Sequence, residues 1–173
     1  MIRKILKTDD KILRIKSKPV GQIDKKILSL IKDLKDTLKV QTDPEGVGLA
    51  APQIGKNLRI FLLKFAGDET IFINPEVITF FPAAANTKTD KKIMEGCLSL
   101  PNFYSPITRT SKLKVVYRDE SGEQKTETFA EFTAQIIQHE IDHLNGILFI
   151  DRLFEQKKPL YELTDGEWEE VEL

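Results

Sequence analysis

Residues 130–145 carry the feature that most constrains this chain, because they combine a helical pattern with both of its histidines. Apolar residues recur there at three- and four-residue intervals, which predicts an amphipathic helix that ends before Gly146. The apolar positions are Phe132, Ile136, Ile137, Ile141 and Leu144. His139 and His143 lie one helical turn apart, so both imidazoles project from the same face. With this spacing, two side chains of one helix can bind a single divalent ion.

The residue after the first histidine favours a catalytic interpretation. Glu140 completes the pattern His-Glu-x-x-His, in which the carboxylate reaches a water on the ion. The alternative is a pair of unrelated core or surface histidines, and with the adjacent glutamate this coincidence arises about once in a thousand random placements. A catalytic site of this kind has three protein ligands and a water, so a third ligand must come from elsewhere.

Two residues are candidates for the third ligand. A further histidine placed as in the metzincins is excluded, because Phe149 occupies that position. Glu162 lies where a thermolysin-like zincin would place a downstream glutamate, although it belongs to an acid-rich tail and Pro159 interrupts the helix that should present it. Cys97 lies in a compact segment, 95–101, and its thiolate would suit Fe(II), Zn(II), Co(II) or Ni(II) better than Mg(II) or Ca(II). A lone cysteine is otherwise often a small buried hydrophobic residue.

A glycine-rich segment, residues 46–55, follows the first predicted helix. It partly matches the dinucleotide-binding pattern, but that pattern requires a preceding strand, so nucleotide binding is not expected. Small residues here allow close approach by a ligand or by the histidine-bearing helix. Gln53 supplies a side-chain amide that can donate to a developing oxyanion. Taken alone, it would be an ordinary polar loop residue.

The rest of the pattern predicts a single domain, residues 1–173, with an acidic tail at about 155–173 that is frayed or loosely packed. Residues 1–20 are expected to run extended over the surface, and Asp24 to cap a helix that stops before Thr42. The remaining expected elements are strands at 58–65 and 70–77, a long loop at 80–92, and a hairpin of 113–118 with 125–129.

Composition excludes several classes of protein. Lys and Arg number 26 against 27 Asp and Glu, so the net charge of −1 gives no basic excess for nucleic acid or an anionic membrane. No apolar run approaches the roughly 18 residues of a membrane span, and the first residues do not resemble a signal peptide. One cysteine cannot form an intrachain disulfide, which is typical of a reducing compartment. We therefore expect a cytoplasmic protein that binds neither nucleic acid nor membrane.

Three segments, in this order, resemble motifs of the peptide deformylases. The family shows Gly-Φ-Gly-Φ-Ala-Ala-x-Gln (Φ apolar), Glu-Gly-Cys-Leu-Ser and Gln-His-Glu-x-Asp-His, and every defined position matches at 46–53, 95–99 and 138–143. The resemblance extends over about residues 1–154. Each motif alone is moderately specific, whereas the ordered set of three is very specific.

The resemblance implies removal of the formyl group from the N-terminal formylmethionine of nascent polypeptides. It assigns metal binding to Cys97, His139 and His143. A metal-bound water would attack the formyl carbon, with Glu140 as general base and then general acid. The formyl oxygen would be bound by the Gln53 amide and the Leu98 backbone N–H. The residues assigned to substrate binding, largely as walls of a methionine pocket, are Gly46, Val47, Gly48, Leu49, Ile136 and Glu95. Arg109 is a candidate partner of Glu95, and Asp142 is a candidate partner of an imidazole or a basic residue.

The resemblance also implies an α+β fold, with small, mostly antiparallel sheets around a central metal-binding helix. Family precedent favours Fe(II) as the single divalent ion, with Zn(II), Ni(II) or Co(II) as alternatives. The expected partners are formylmethionyl nascent peptides, near the ribosome, bound by a monomer. Two departures from many relatives stand out, namely residues 102–105 after Pro101 and the acidic tail with Trp168 in place of a basic or amphipathic helix. A non-catalytic metal-binding or formyl-peptide-binding protein remains a hypothesis from a different class, although such a protein has no need of Glu140.

Overall fold

The computed structural model describes residues 1–81 and 93–172. Within these residues the chain forms two antiparallel sheets and three α helices, so the expected α+β class is confirmed. The helices are α1 (Lys25–Lys39), α2 (Glu131–Leu144) and α3 (Phe149–Gln156). The strands are β1 (Gly48–Ala50), β2 (Ile60–Phe65), β3 (Asp68–Phe80), β4 (Glu95–Cys97), β5 (Leu100–Ser105), β6 (Lys112–Arg118), β7 (Gln124–Ala130), β8 (Leu160–Thr164) and β9 (Glu167–Val171).

The larger sheet has the strand order β1-β2-β3-β6-β7, and the smaller has the order β4-β5-β8-β9. In the larger sheet β2 is buried on both faces, which explains its continuous apolar sequence. Ile60 and Leu62 pack toward α1, whereas Phe61 and Leu63 pack in the cluster that includes α2. The side-chain alternation of one strand therefore joins both helical layers to the sheet.

Helix α1 begins where the sequence predicts. The Asp24 carboxylate accepts hydrogen bonds from the backbone N–H groups of Lys26 (2.9 Å) and Ile27 (3.0 Å), and so satisfies two of the donors left free at a helix start. Its apolar face carries Leu30, Ile31, Leu34 and Leu38 into the core.

Helix α2 packs across the opposite face of the larger sheet. Ile137 and Leu144 are fully or almost fully buried against Phe61, Phe72 and Val115. Its other buried face carries the two histidines toward β4 of the smaller sheet. Gly146 ends the helix with a φ of 75°, a conformation in which glycine is favoured, and an added Cβ would lie 2.6 Å from the Arg14 carbonyl oxygen.

Two expectations about the chain ends are wrong. Residues 1–20 include a short 3₁₀ helix, Lys11–Arg14, whose Leu13 is fully buried. The tail is not frayed, because β8 pairs with β5 and β9 pairs with β8, and Trp168 packs edge-on against Tyr104. Leu160 and Val171 of the tail pack in the core cluster under the smaller sheet, which the charge count alone did not reveal.

The strands and hairpin expected at 58–65, 70–77 and 113–129 are present, with β3 extending further than expected, to Phe80. The long loop expected at 80–92 lies almost wholly outside the described residues. None of the helices in the described part of the chain has the length and apolar character that a membrane crossing requires.

Candidate active site

Cys97, at the end of β4, meets His139 and His143 of α2. One potential ligand atom from each of the three lies within 4.8 Å of the others, and the Cys97 Sγ is 3.2 Å from the His143 Nε2. All three side chains are buried. A thiolate and two imidazoles form a donor set suited to a transition-metal ion or zinc. The residues present therefore fit the divalent ion that the sequence predicts.

The orientation of His139 is set by Glu95. The His139 Nδ1 lies 2.8 Å from Glu95 Oε1, so this nitrogen carries the proton and Nε2 keeps its lone pair for the ion. Glu95 also accepts a bidentate pair from Arg109, at 2.7 and 3.0 Å. Burial alone would raise the pKa of Glu95, but His139 and Arg109 outweigh it and hold the pKa well below its usual range. The expected pairing of Arg109 with Glu95 is present.

A second carboxylate extends this network away from the histidines. Arg109 also donates to Asp142 at 2.6 Å, and Arg152 of α3 donates to both Asp142 oxygens at 2.6 and 2.9 Å. Asp142 therefore pairs with two basic residues, and Glu95 is the carboxylate that orients the imidazole. Arg152 was missed because α3 was not predicted, although Phe149, Ile150, Leu153 and Phe154 recur at helical intervals in the sequence.

Glu140 lies in the buried interior next to the metal-binding histidines. It is buried, and its Oε2 has no hydrogen-bond partner among residues 1–81 and 93–172. Burial raises the pKa of Glu140 to about 7, and the charges of His139 and His143 only partly offset the rise. A carboxylate with a pKa near the working pH is suited to take and return a proton.

The Glu140 carboxylate lies directly against Gly48 of β1. A Cβ at position 48 would stand 2.3 Å from Glu140 Oε1 and 3.0 Å from the Ile136 Cγ2. Glycine fits at this position because the Glu140 carboxylate occupies the space that a side chain would need.

The thiol of Cys97 is poised to ionise. Burial alone would raise its pKa, but interactions with His143 and His139 outweigh that effect and place the pKa well below its usual value. The thiolate is the form in which cysteine binds metal.

The Gln53 amide reaches the same site from the 3₁₀ helix Ala51–Ile54. Its oxygen accepts from the Ala50 N–H at 2.8 Å, and its nitrogen lies 3.2 Å from the Ser99 Oγ and 3.7 Å from the Cys97 Sγ. Leu98 follows Cys97 in the turn between β4 and β5. Both residues expected to bind the formyl oxygen thus adjoin Cys97, Gln53 through its amide nitrogen and Leu98 as the next residue in the chain.

A cavity of about 190 Å³ opens beside these groups. Most of the predicted residues line it, namely Gly46, Val47, Gly48, Gln53, Glu95, Cys97, Leu98, Ile136, His139 and Glu140. Leu49 is fully buried and packs in the α1 core instead, because it alternates with Gly48 along β1. Sequence reasoning did not single out Gln135 or Met94; it placed Phe132 only on the apolar face of the helix, and Tyr104 only in the segment 102–105 that departs from many relatives. The spacing of Phe132 could have identified it.

The competing interpretations of the motifs find no support. Glu162 lies on β8 opposite Phe103 and Glu169 and is not part of the metal-binding group. The glycine-rich segment forms a short strand and a 3₁₀ helix beside α2, rather than the strand-to-helix turn of a dinucleotide site.

Comparison with known proteins decides the family. The family described as polypeptide deformylase matches residues 2–159. The chain belongs to the polypeptide deformylase family. A peptide deformylase of Pseudothermotoga lettingae is 42% identical over 171 residues, which cover 95% of this chain and 93% of that protein. The chain also resembles the crystal structure of a peptide deformylase from Thermotoga maritima, with a TM-score of 0.78 and 35% identity over 88% of this chain and 97% of that one. A Synechococcus elongatus deformylase in complex with actinonin gives a TM-score of 0.76 and 32% identity, covering 86% and 76% of the two chains.

Members of this family remove the formyl group from N-formylmethionine peptides, and this chain is a metal-dependent hydrolase of that kind. The buried cysteine and two histidines form its metal-binding site. The sequence predictions of family, activity and metal dependence are confirmed.

Proposed function

We propose that Cys97, His139 and His143 hold one Fe(II) ion, and that Glu140, Gln53 and Leu98 carry out deformylation around it. The thiolate and two imidazoles suit Fe(II), Zn(II), Co(II) and Ni(II), and family precedent favours Fe(II) among them. When bound, such an ion lowers the pKa of a coordinated water toward neutrality and so makes it a nucleophile.

Glu140 manages the proton in this proposal. Its Oε2, which has no hydrogen-bond partner among the described residues, takes the proton of the attacking water, since a pKa of about 7 leaves a large fraction of the carboxylate ionised at neutral pH. The same oxygen then donates that proton to the departing amine. No second acid is needed.

Gln53 and Leu98 stabilise the charge that develops on the formyl oxygen. Gln53 and Leu98 both line the cavity; the Gln53 Nε2 lies 3.7 Å from the Cys97 Sγ, and Leu98 follows Cys97 directly in the chain. In comparable sites one well-placed donor contributes roughly 3–4 kcal/mol to the transition state.

The methionine side chain occupies the cavity between β1 and α2. Gly46, Val47 and Ile136 supply its apolar wall. Glu95 also borders the cavity, but its carboxylate is taken by His139, Arg109 and Gln135, so we assign it to holding the imidazole rather than to contact with methionine.

The substrate is the formylmethionyl N-terminus of a nascent polypeptide near the ribosome. The protein acts on it as a monomer in the cytoplasm. One chain supplies every group named above, which supports a monomer. The thiol must stay reduced to bind the ion, which favours a reducing compartment.

The meeting of Cys97 with both histidines is the observation that carries this proposal. Its test is metal content per chain and formate release from a formylmethionyl tripeptide after anaerobic purification, in wild type, Cys97→Ala and Glu162→Ala. We expect iron and activity in wild type and Glu162→Ala, and loss of both in Cys97→Ala. Retained metal and activity in Cys97→Ala would exclude the thiolate ligand, and loss of metal in Glu162→Ala alone would restore the zincin alternative.

A further inference from the structure

The Gln53 amide is held at both ends by buried partners. Gln53 is 1% exposed and Ser99 is fully buried. The backbone N–H of Ala50 donates to the Gln53 Oε1 at 2.8 Å, and the Gln53 Nε2 donates to the Ser99 Oγ at 3.2 Å. Ser99 has no place in the proton transfer or metal binding described above, so its buried hydroxyl calls for another role.

The Ala50 contact determines which end of the amide faces the site. A backbone N–H can only donate, so it must meet the amide oxygen, and the nitrogen then lies toward Ser99 and Cys97. This contact alone does not lock the amide plane, because the terminal torsion of glutamine is broad and roughly two-fold.

The Ser99 hydroxyl supplies the second point of attachment. It accepts one of the two N–H groups of the Gln53 amide and leaves the other aimed at the Cys97 Sγ, 3.7 Å away. That contact is long and to a weak acceptor, so an arriving formyl oxygen can replace it. With Ser99 in place, the amide plane is set before the substrate arrives.

We propose that Ser99 is a positioning residue that acts through Gln53, holding one N–H of its amide on the path of the formyl oxygen. This inference rests on the proposed function of Gln53 as an oxyanion donor. A donor fixed before reaction stabilises the transition state without reorganisation, whereas a swinging amide does not. The role therefore belongs to the chemical step rather than to substrate binding.

A double-mutant cycle tests the link to Gln53. In the metal-loaded chain we expect Ser99→Ala to lower kcat about tenfold with KM within about twofold, since the contact matters most in the transition state. In a Gln53→Ala background the same change should lower kcat by less than about twofold. If the two substitutions lower kcat by factors that simply multiply, or if Ser99→Ala leaves kcat unchanged, Ser99 does not act through Gln53.

A second measurement reports on the amide without turnover. In the zinc-loaded chain the side-chain NH₂ signals of Gln53, assigned by their loss in Gln53→Ala, should exchange with water at least about tenfold faster in Ser99→Ala. Ser105→Ala is the matched control, because Ser105 is equally buried and donates to the Pro159 carbonyl at 2.8 Å, away from Gln53. It should leave both the Gln53 signals and kcat unchanged.

The two measurements separate the possible failures. A wild-type chain that releases no formate would overturn the proposed function, and this role with it. An active Ser99→Ala chain with unmoved Gln53 signals would overturn the role of Ser99 alone. Metal content and thermal unfolding of each variant show that the chain compared is folded and loaded.

Discussion

At the scale of single residues, the site depends on side chains that hydrogen bonds to other protein groups already hold in place before substrate binds. Glu95 holds the His139 imidazole at 2.8 Å, and the Ala50 N–H holds the Gln53 amide. Glu140 is the exception, because one of its oxygens lacks a partner within the described residues, while burial raises its pKa to about 7. The unsatisfied oxygen is thus where the chemistry is expected, since a buried polar atom without a partner is costly to keep.

Gly48 gives the sharpest prediction at this scale. Gly48→Ala places a Cβ where Glu140 Oε1 now lies, 2.3 Å away, so the carboxylate must leave its position. We expect kcat to fall about 10²-fold or more, because a general base contributes roughly 10²–10⁴, while the thermal unfolding midpoint changes little. Gly21→Ala is the control, since an added Cβ there meets nothing within 4 Å. Wild-type kcat in Gly48→Ala would show that Glu140 need not sit where the structure places it.

At the scale of elements, α2 is held by charged side chains as well as by its apolar face. Arg109, from the segment between β5 and β6, and Arg152 of α3 meet at Asp142, next to the His143 position. At the end of the helix Arg59 donates to the Leu144 carbonyl at 3.2 Å and to Asn145 Oδ1 at 2.9 Å. Of these, Arg109 also pairs with Glu95 of β4, and so links the helix to the strand that carries the third metal ligand.

The Asp142 contacts predict a pH-dependent contribution to stability. Burial alone would raise the pKa of Asp142, but Arg152 and Arg109 outweigh it and lower the pKa. The carboxylate therefore stabilises the fold above its unfolded-state pKa of about 4, and this is lost as the pH falls through the lower folded-state value. We expect Asp142→Asn to reduce the free energy of unfolding by about 3 kcal/mol at pH 7, as for other broken buried pairs.

Denaturant unfolding of wild type and Asp142→Asn at pH 7 and at acidic pH checks this prediction. The difference between the two chains should shrink as the pH falls below about 4. Glu120→Gln, which breaks an exposed pair with Lys35, should change stability little at either pH. A difference between wild type and Asp142→Asn that stays constant with pH would contradict the assigned ion pairs.

At the scale of the whole molecule, the spacing of apolar residues predicted several helices and strands, and the three motifs predicted which residues form the metal-binding site. The apolar spacing of α1 and α2 and the alternation in β6 were sufficient because each element buries one continuous face. The association of Cys97 with His139 and His143 followed from the resemblance and not from spacing, because the two segments lie far apart in the chain. The pairing of β8 with β5 escaped prediction because it depends on a contact between distant segments. Arg152 escaped because the helix that carries it was not predicted. Leu49 was wrongly predicted to line the methionine pocket, because a strand of three residues is too short to show in the sequence which side chains face which side of the sheet.

The central claim is that Glu140 activates water beside an ion held by the cysteine and two histidines. Formate release by Glu140→Gln, compared with wild type at equal metal content per chain, tests it most directly. Glutamine keeps the shape of the side chain but cannot accept the proton, and Glu140 is not a ligand, so we expect unchanged metal content and a kcat lower by about 10²–10⁴-fold. Equal rates of formate release from the two loaded chains would contradict the account.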